Sequence, residues 1–222
     1  MYDLIVFDLG GTVVNTRPAL VESIVHALKG IGVGLAGHVN VEDFLGSTVE
    51  SSIRNICGLD NSELKPTVNV AIDHFDKKGF LSSKLYDGVI DVLQELKSRG
   101  FKIALLSFDE HVFTRNMLVH FGIESYFDFA SDTSAPKPGE RNRSKTEIVA
   151  RLLQEAAADF GRSDIKALVI GDKGIDIEAA IANKVDSVGV LWGFGGINEL
   201  EKVDATKLVS SMEELLEFII DA

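Results

Sequence analysis

Three polar residues stand directly after short apolar runs. Asp8 follows Leu4-Ile5-Val6-Phe7, Ser107 follows Lys102 to Leu106 (KIALL), and Asp172 follows Ala167 to Ile170 (ALVI) and Gly171. A further carboxylate, Asp176, lies four residues beyond Asp172. Short continuous apolar runs of this kind are the pattern of strands buried on both faces of a parallel sheet. In an open parallel sheet, ligands bind beyond the carboxyl ends of the strands. The pattern therefore brings polar groups from distant parts of the chain to one edge. A lone Asp after a strand is commonly a helix N-cap and nothing more. Three such positions, joined by the Asp172/Asp176 pair, point instead to chemistry. Carboxylates so placed attack an electrophile or hold a hard cation.

The elements that must position these residues alternate. Ser187 to Leu191 (SVGVL) reads as a fourth strand, and Phe127-Asp128-Phe129-Ala130 as a weaker fifth. Between the strands lie segments with apolar residues at helical spacing: Val89 to Lys97, closed by Gly100, His111 to Phe121, closed by Gly122, Lys145 to Leu153, Asp176 to Ala182, and Glu213 to Ile220. Strands alternating with helices predict β-α-β units in a parallel sheet. The stretch from Arg17 to Lys84 breaks the rhythm. Ala19–Leu28, Val41–Leu45, Val49–Cys57 and Val68–Lys77 read as helical, with no clear buried strand among them. It is expected to be a helical insertion (residues 17–84) within a core made of residues 1–16 and 85–222.

Composition narrows the field. Of the 222 residues, 45% are hydrophobic and 25% charged, enough to bury a core and too little bias for disorder. A net charge of −12 makes a nucleic-acid partner a poor expectation, because that affinity rests on lysine and arginine. A small anionic ligand stays compatible, since a metal ion and a few local cations can dominate a site. The single cysteine, Cys57, can form neither an intrachain disulfide nor a Cys-based zinc site, and reads as packing. The chain runs from Met1-Tyr2-Asp3 straight into an apolar run. With no basic leader and no membrane-length apolar stretch in view, a cytoplasmic location and no membrane are expected. Separately, a monomer or homodimer is expected. The histidines His26, His38, His74, His111 and His120 are scattered without metal-like spacing, and Trp192 reads as a packing residue. Gly193-Phe194-Gly195-Gly196 follows a strand and reads as a turn rather than a phosphate loop, since the rest of a nucleotide fingerprint is missing.

The residues also carry a resemblance. Phe7-Asp8-Leu9-Gly10-Gly11-Thr12-Val13-Val14-Asn15-Thr16 resembles the first motif of haloacid dehalogenase-type hydrolases, usually Asp-x-Asp-Gly-Thr-hydrophobic. Leu105-Leu106-Ser107 resembles the second motif, and Gly171-Asp172-Lys173-Gly174-Ile175-Asp176 the fourth. The segment Tyr86 to Gly100 is similar to the one that re-enters the core after the cap in this family, and the tail from Gly189 to Leu215 resembles the phosphoglycolate-phosphatase branch. The resemblance spans essentially the whole chain and is least specific in the helical insertion. It implies an α/β, Rossmann-like core with an inserted α-helical cap that closes over the site. It further implies a magnesium-dependent phosphatase acting on a small phosphorylated metabolite: phosphoglycolate, a sugar phosphate or a nucleotide. Asp8 would be the nucleophile, forming an aspartyl-phosphate. Asp8, Asp172 and the Gly10 carbonyl would hold Mg2+, with Asp176 completing or orienting the shell. Ser107 would hydrogen-bond a phosphoryl oxygen. Two lysines fit the third motif, Lys137 in Ala135-Pro136-Lys137-Pro138 and Lys145 in Arg143-Ser144-Lys145-Thr146-Glu147. Lys145 is preferred because it opens an apolar helical repeat, as in that branch. Lys137 remains a substrate-side candidate, as do Gly46 and Ser47, which resemble a cap loop that touches substrate.

One departure stands out. The family usually carries a second Asp two residues after the nucleophile, where this chain has Gly10. That Asp protonates the leaving alcohol and later activates water, work typically worth roughly 10²- to 10⁴-fold. Its loss is compatible with an impaired phosphatase, or with a non-catalytic phospho-ligand-binding or interaction protein on the same fold. The carbon-phosphorus-cleaving branch also lacks this Asp, but its cap lysine has no match at Lys65, Lys77, Lys78 or Lys84. The dehalogenase branch needs no metal and does not usually keep the Asp172/Asp176 arrangement.

Overall fold

The computed structural model describes residues 1–33, 49–50, 53–54, 59–107, 111–131 and 144–222. The described residues divide into two compact units, Met1–Val14 with Leu85–Ala222, and Asn15–Lys84.

The first unit is built on a sheet of six parallel strands. In chain order they are β1 (Leu4–Asp8), β4 (Lys102–Leu106), β5 (Phe129–Ala130), β6 (Ala167–Gly171), β7 (Asp186–Val190) and β8 (Lys207–Val209). Their order across the sheet is β5-β4-β1-β6-β7-β8. Two two-residue strands, β2 (Val14–Asn15) and β3 (Lys84–Leu85), form a separate ribbon. The sequence-expected strands are all present. β8 was not anticipated, because its three residues, Lys207-Leu208-Val209, are too few to show a period.

Successive side chains of a strand face opposite sides. Leu4, Val6, Ala104, Leu106, Ala167 and Val169 form one face, packed by Ile148, Val149, Leu152 and Ala156 of α5 (Lys145–Phe160) and by Ala179 and Ala180 of α6 (Gly174–Ala182). Ile5, Phe7, Ile103, Leu105, Leu168 and Ile170 on the other face are also buried. With both faces covered, the strands are apolar throughout, which is why they read as continuous runs rather than alternations. The remaining helices of this unit are α3 (Val89–Ser98), α4 (His111–Phe121), the short α7 (Ile197–Leu200) and α8 (Met212–Asp221). Helix α5 runs seven residues beyond the expected end at Leu153, to a left-handed Gly161 cap. Its extension, Gln154-Glu155-Ala156-Ala157-Ala158-Asp159-Phe160, is too rich in alanine and polar residues to show an apolar stripe.

The second unit has its own core. α1 (Arg17–Gly30) contributes Ile24, Ala27 and Leu28, and α2 (Asn61–His74) contributes Leu64 and Ala71, with Ile53 completing the cluster. α2 starts earlier than the apolar pattern suggests. Its start is set by Asp60, whose side chain accepts hydrogen bonds from the Ser62 and Glu63 amides at 2.7 and 3.1 Å. Pro66 sits in its second turn, and beyond His74 the chain widens into a π-helical segment, Phe75–Gly79. Two histidines that look unrelated in sequence meet here. The rings of His26 and His74 stack with centroids 4.2 Å apart, and Ser23 Oγ lies 3.0 Å from His74 Nδ1. The expected helix Val41–Leu45 lies outside the described residues, as does most of Val49–Cys57.

Candidate functional site

The strand order places the site. From β1 the chain proceeds to β4 and β5 on one side, then returns to β6 on the other. The carboxyl ends of β1 and β6 therefore flank a topological switch point, where adjacent connections diverge and leave a crevice. Register then sets the side chains. Asp8 pairs with Leu106 and Phe7 with Ile170, so Ser107 and Asp172 each lie one residue past their neighbour's level with Asp8. Strands about 4.8 Å apart bring such groups within one small ligand's reach.

Asp8, Asp172 and Asp176 converge. Each offers one carboxylate oxygen within 4.8 Å of the others, and all three are buried. Asp176 reaches the cluster from the first turn of α6, where its Oδ2 also accepts a hydrogen bond from the Lys173 amide at 3.1 Å. Lys145, the first residue of α5, enters from the other direction. Ser144 caps that helix in a reciprocal box with Glu147, which fixes the position of the next residue. Lys145 Nζ donates to Asp8 Oδ1 at 2.7 Å and also to Asp176 Oδ1. The lysine itself is 5% exposed.

Three buried carboxylates face one ammonium, and their electrostatics follow. Burial pushes the Asp8 carboxyl up, Lys145 pulls it down, and Asp176 and Asp172 push it up again, leaving it well above the usual carboxylate value. Burial likewise raises Asp172, opposed by the Phe194 amide and assisted by Asp176. Burial alone would lower Lys145, but Asp8 and Asp176 hold it above the usual lysine value. Surplus negative charge on hard oxygen ligands fits a divalent cation.

Of the residues singled out from sequence, Asp8, Lys145, Asp172 and Asp176 are thus brought together. Ser107 stands on the adjacent strand end, buried, its amide donating to Ser131 Oγ at 3.0 Å and its Oγ accepting from Thr114 Oγ1 at 3.4 Å. Gly10 lies in the turn after β1, bridged to Val14. Lys137, Gly46 and Ser47 lie outside the described residues. Residues that sequence reasoning passed over also take part. Thr12 Oγ1 donates to Asp172 Oδ1 at 3.4 Å, and the Phe194 amide donates to Asp172 Oδ2 at 2.6 Å. Trp192, read as packing, donates its indole N–H to the Thr12 carbonyl at 3.1 Å. The available signal was the density of glycines after β7.

Fold and site together define a Rossmann-like α/β enzyme core whose chemistry centres on carboxylates. The chain belongs to the haloacid dehalogenase-like hydrolase family, whose model matches residues 5–190. It is similar to phosphoglycolate phosphatase of Nitrosococcus oceani, 28% identical over 99% of this chain and 97% of that protein. It is also similar to the tyrosine-protein kinase PtkA of Mycobacterium tuberculosis, 28% identical over 96% of this chain and 71% of that protein. The crystal structure of a predicted phosphatase from Clostridium acetobutylicum superposes with a TM-score of 0.77, at 27% identity and full coverage of both chains. Among the described residues, no helix is long and apolar enough to cross a membrane.

Proposed function

We propose that this protein is a divalent-cation-dependent phosphoric monoester hydrolase with Asp8 as nucleophile. The observation that carries the reading is Lys145 Nζ bridging Asp8 and Asp176 within a buried group of three carboxylates. An ammonium in that position favours the ionised, attacking form of Asp8 against the opposing effect of burial, and neutralises an incoming phosphoryl group.

An Asp8 carboxylate oxygen attacks phosphorus, the bond from phosphorus to the leaving oxygen breaks, and an aspartyl-phosphate forms. Ser107 donates its hydroxyl to a phosphoryl oxygen, and Lys145 stays paired with the charge that moves from carboxylate to phosphoryl group. Water then attacks the aspartyl-phosphate, releasing inorganic phosphate and restoring Asp8. Asp8, Asp172, Asp176 and the Gly10 carbonyl would hold a divalent cation, which would supply positive charge against the repulsion between carboxylate and phosphate. Mg2+ is the assigned ion, because all its donors here are hard oxygens. Gly10 has no side chain to hand a proton to the leaving oxygen, so that proton comes from water and turnover of alkyl esters is slow.

The substrate class we assign is a small phosphorylated metabolite, with phosphoglycolate, sugar phosphates and nucleotides as the first to test. Residues 17–84 are assigned as the helical cap domain that selects the leaving group, with Gly46 and Ser47 as its substrate-side residues, and Lys137 is assigned as a substrate-side residue of the core domain (residues 1–16 and 85–222). The decisive experiment is a panel of phosphate monoesters, assayed with magnesium and with chelator, using wild-type and Asp8→Asn protein. Magnesium-dependent release of phosphate that disappears in Asp8→Asn is expected. Undiminished hydrolysis by purified Asp8→Asn would end this reading. Gly10 favours one alternative, a phospho-ligand-binding protein without turnover. Binding of phosphate esters with none hydrolysed would select it.

A further inference from the structure

We infer that the turn Trp192–Gly196, leaving the end of β7, is a positioning clamp for Asp172, the carboxylate assigned above to the cation. The inference rests on that assignment. The turn reaches Asp172 by two routes. The Phe194 amide donates directly to Oδ2 at 2.6 Å. The Trp192 indole donates to the Thr12 carbonyl at 3.1 Å, and Thr12 Oγ1 in turn donates to Asp172 Oδ1 at 3.4 Å.

The glycines of the turn give the second line of argument. Gly193 and Gly195 do not have positive φ, so their backbone does not require glycine. Space does. A Cβ at Gly193 would fall within 3.0 Å of Asp172 Cβ, Cγ and Oδ2, and one at Gly195 would collide with the Asp172 carbonyl oxygen. Gly11, from the loop after β1, closes a third side, where a Cβ would overlap the Asp172 carboxylate. Asp172 is 1% exposed, with glycine backbone close against it on three sides.

A carboxylate held this way has lost its conformational entropy on folding rather than on binding a cation. The short amide bond occupies Oδ2. Oδ1, with only the long Thr12 contact, is the oxygen left to face the ion. Mg2+ demands near-ideal octahedral geometry, so fixing one ligand's direction bears directly on affinity.

The test is Mn2+ binding to the full-length protein, followed by the electron paramagnetic resonance of free Mn2+, beside melting curves recorded in chelator. Mn2+ shares the hard-oxygen preference of Mg2+. Gly193→Ala and Gly195→Ala should each weaken Mn2+ binding by roughly 10- to 100-fold, the usual cost of disturbing groups that orient a metal ligand. Activity should return as Mn2+ is raised, so that the activating concentration moves more than kcat. Gly30→Ala, at a site where nothing lies within 4 Å of the new Cβ, should leave binding unchanged. Trp192→Phe keeps an aromatic ring, smaller than the indole, and removes the donor, and should weaken binding by a smaller factor. It decides the matter if the alanine variants do not fold. Unchanged Mn2+ affinity in a folded Gly193→Ala, or in Trp192→Phe when the glycine variants fail, would overturn the clamp while leaving the hydrolase reading intact. A well-folded wild-type protein that binds no Mn2+ would overturn both.

Discussion

Replacing Lys145 by methionine removes one charge and keeps most of the side-chain volume. Lys145 Nζ lies 2.7 Å from Asp8 Oδ1 and also donates to Asp176, and the lysine side chain is 6% exposed. At that burial, solvent does little to screen the loss. Taking one partner from a buried ion pair typically costs about 3–5 kcal/mol, because the remaining charge is left uncompensated. For a chain of this size each kcal/mol lowers the melting temperature by roughly 2–4 °C, so a drop of roughly 6–20 °C is expected in chelator. Magnesium should return part of it, since a cation can take over the neutralisation. The loss should shrink as pH falls and the orphaned carboxylates take up protons. Turnover should drop by about 10²-fold or more, as when a preorganised donor to a developing anion is lost. Thermal melts by circular dichroism in chelator and in magnesium, with phosphate release measured in parallel, provide the test. A metal-free Lys145→Met protein melting within about 2 °C of wild type would refute the claim that this lysine balances the buried carboxylates.

Three further outcomes are expected. Gly10→Asp should raise turnover of alkyl phosphates by up to roughly 10²- to 10⁴-fold, and aryl phosphates should gain less in the first step because their leaving oxygen hardly needs a proton. A folded, magnesium-binding Gly10→Asp protein with no gain on any substrate would place the defect elsewhere. Asp8 and Asp172 are held above the ordinary carboxylate value of 3.8 in the metal-free protein, so their contribution to stability is full below that value and is lost as pH rises through their raised values. Magnesium needs their ionised forms, so the rise in melting temperature on adding magnesium should grow with pH over that window, and a pH-independent rise would contradict it. Asp8→Asn should abolish labelling of the protein by a phosphorylated substrate during rapid-quench turnover, whereas label retained in the variant would move the nucleophile to another residue.

Much of the scaffold was legible in the sequence because a parallel sheet covered on both faces demands uninterrupted apolar strands. Leu4–Phe7, Lys102–Leu106 and Ala167–Ile170 announce themselves, and each is followed within two residues by the polar residue it delivers. Asp8, Asp172 and Asp176 were legible for the same reason: strand ends and a first helical turn have fixed directions. Elements whose signals are short or polar were not. β8 has only three residues, and the start of α2 is set by the Asp60 cap rather than by an apolar stripe. The stacked His26 and His74, 48 positions apart in the chain, share no local pattern.

The sequence by itself determined which residue types stand at the ends of the strands, and hence the kind of chemistry they can do. Only the tertiary structure decided how those residues are paired and held. Lys145 meets Asp8 across 137 positions and Phe194 meets Asp172 across 22, and neither pairing leaves a periodic trace. The glycines at 193 and 195 read as a turn because their cause is not local. It is the space occupied by Asp172, which becomes a constraint only when the loop after β7 folds back over the end of β6. Local patterns record the backbone's direction, whereas close approach between distant segments is fixed by packing alone.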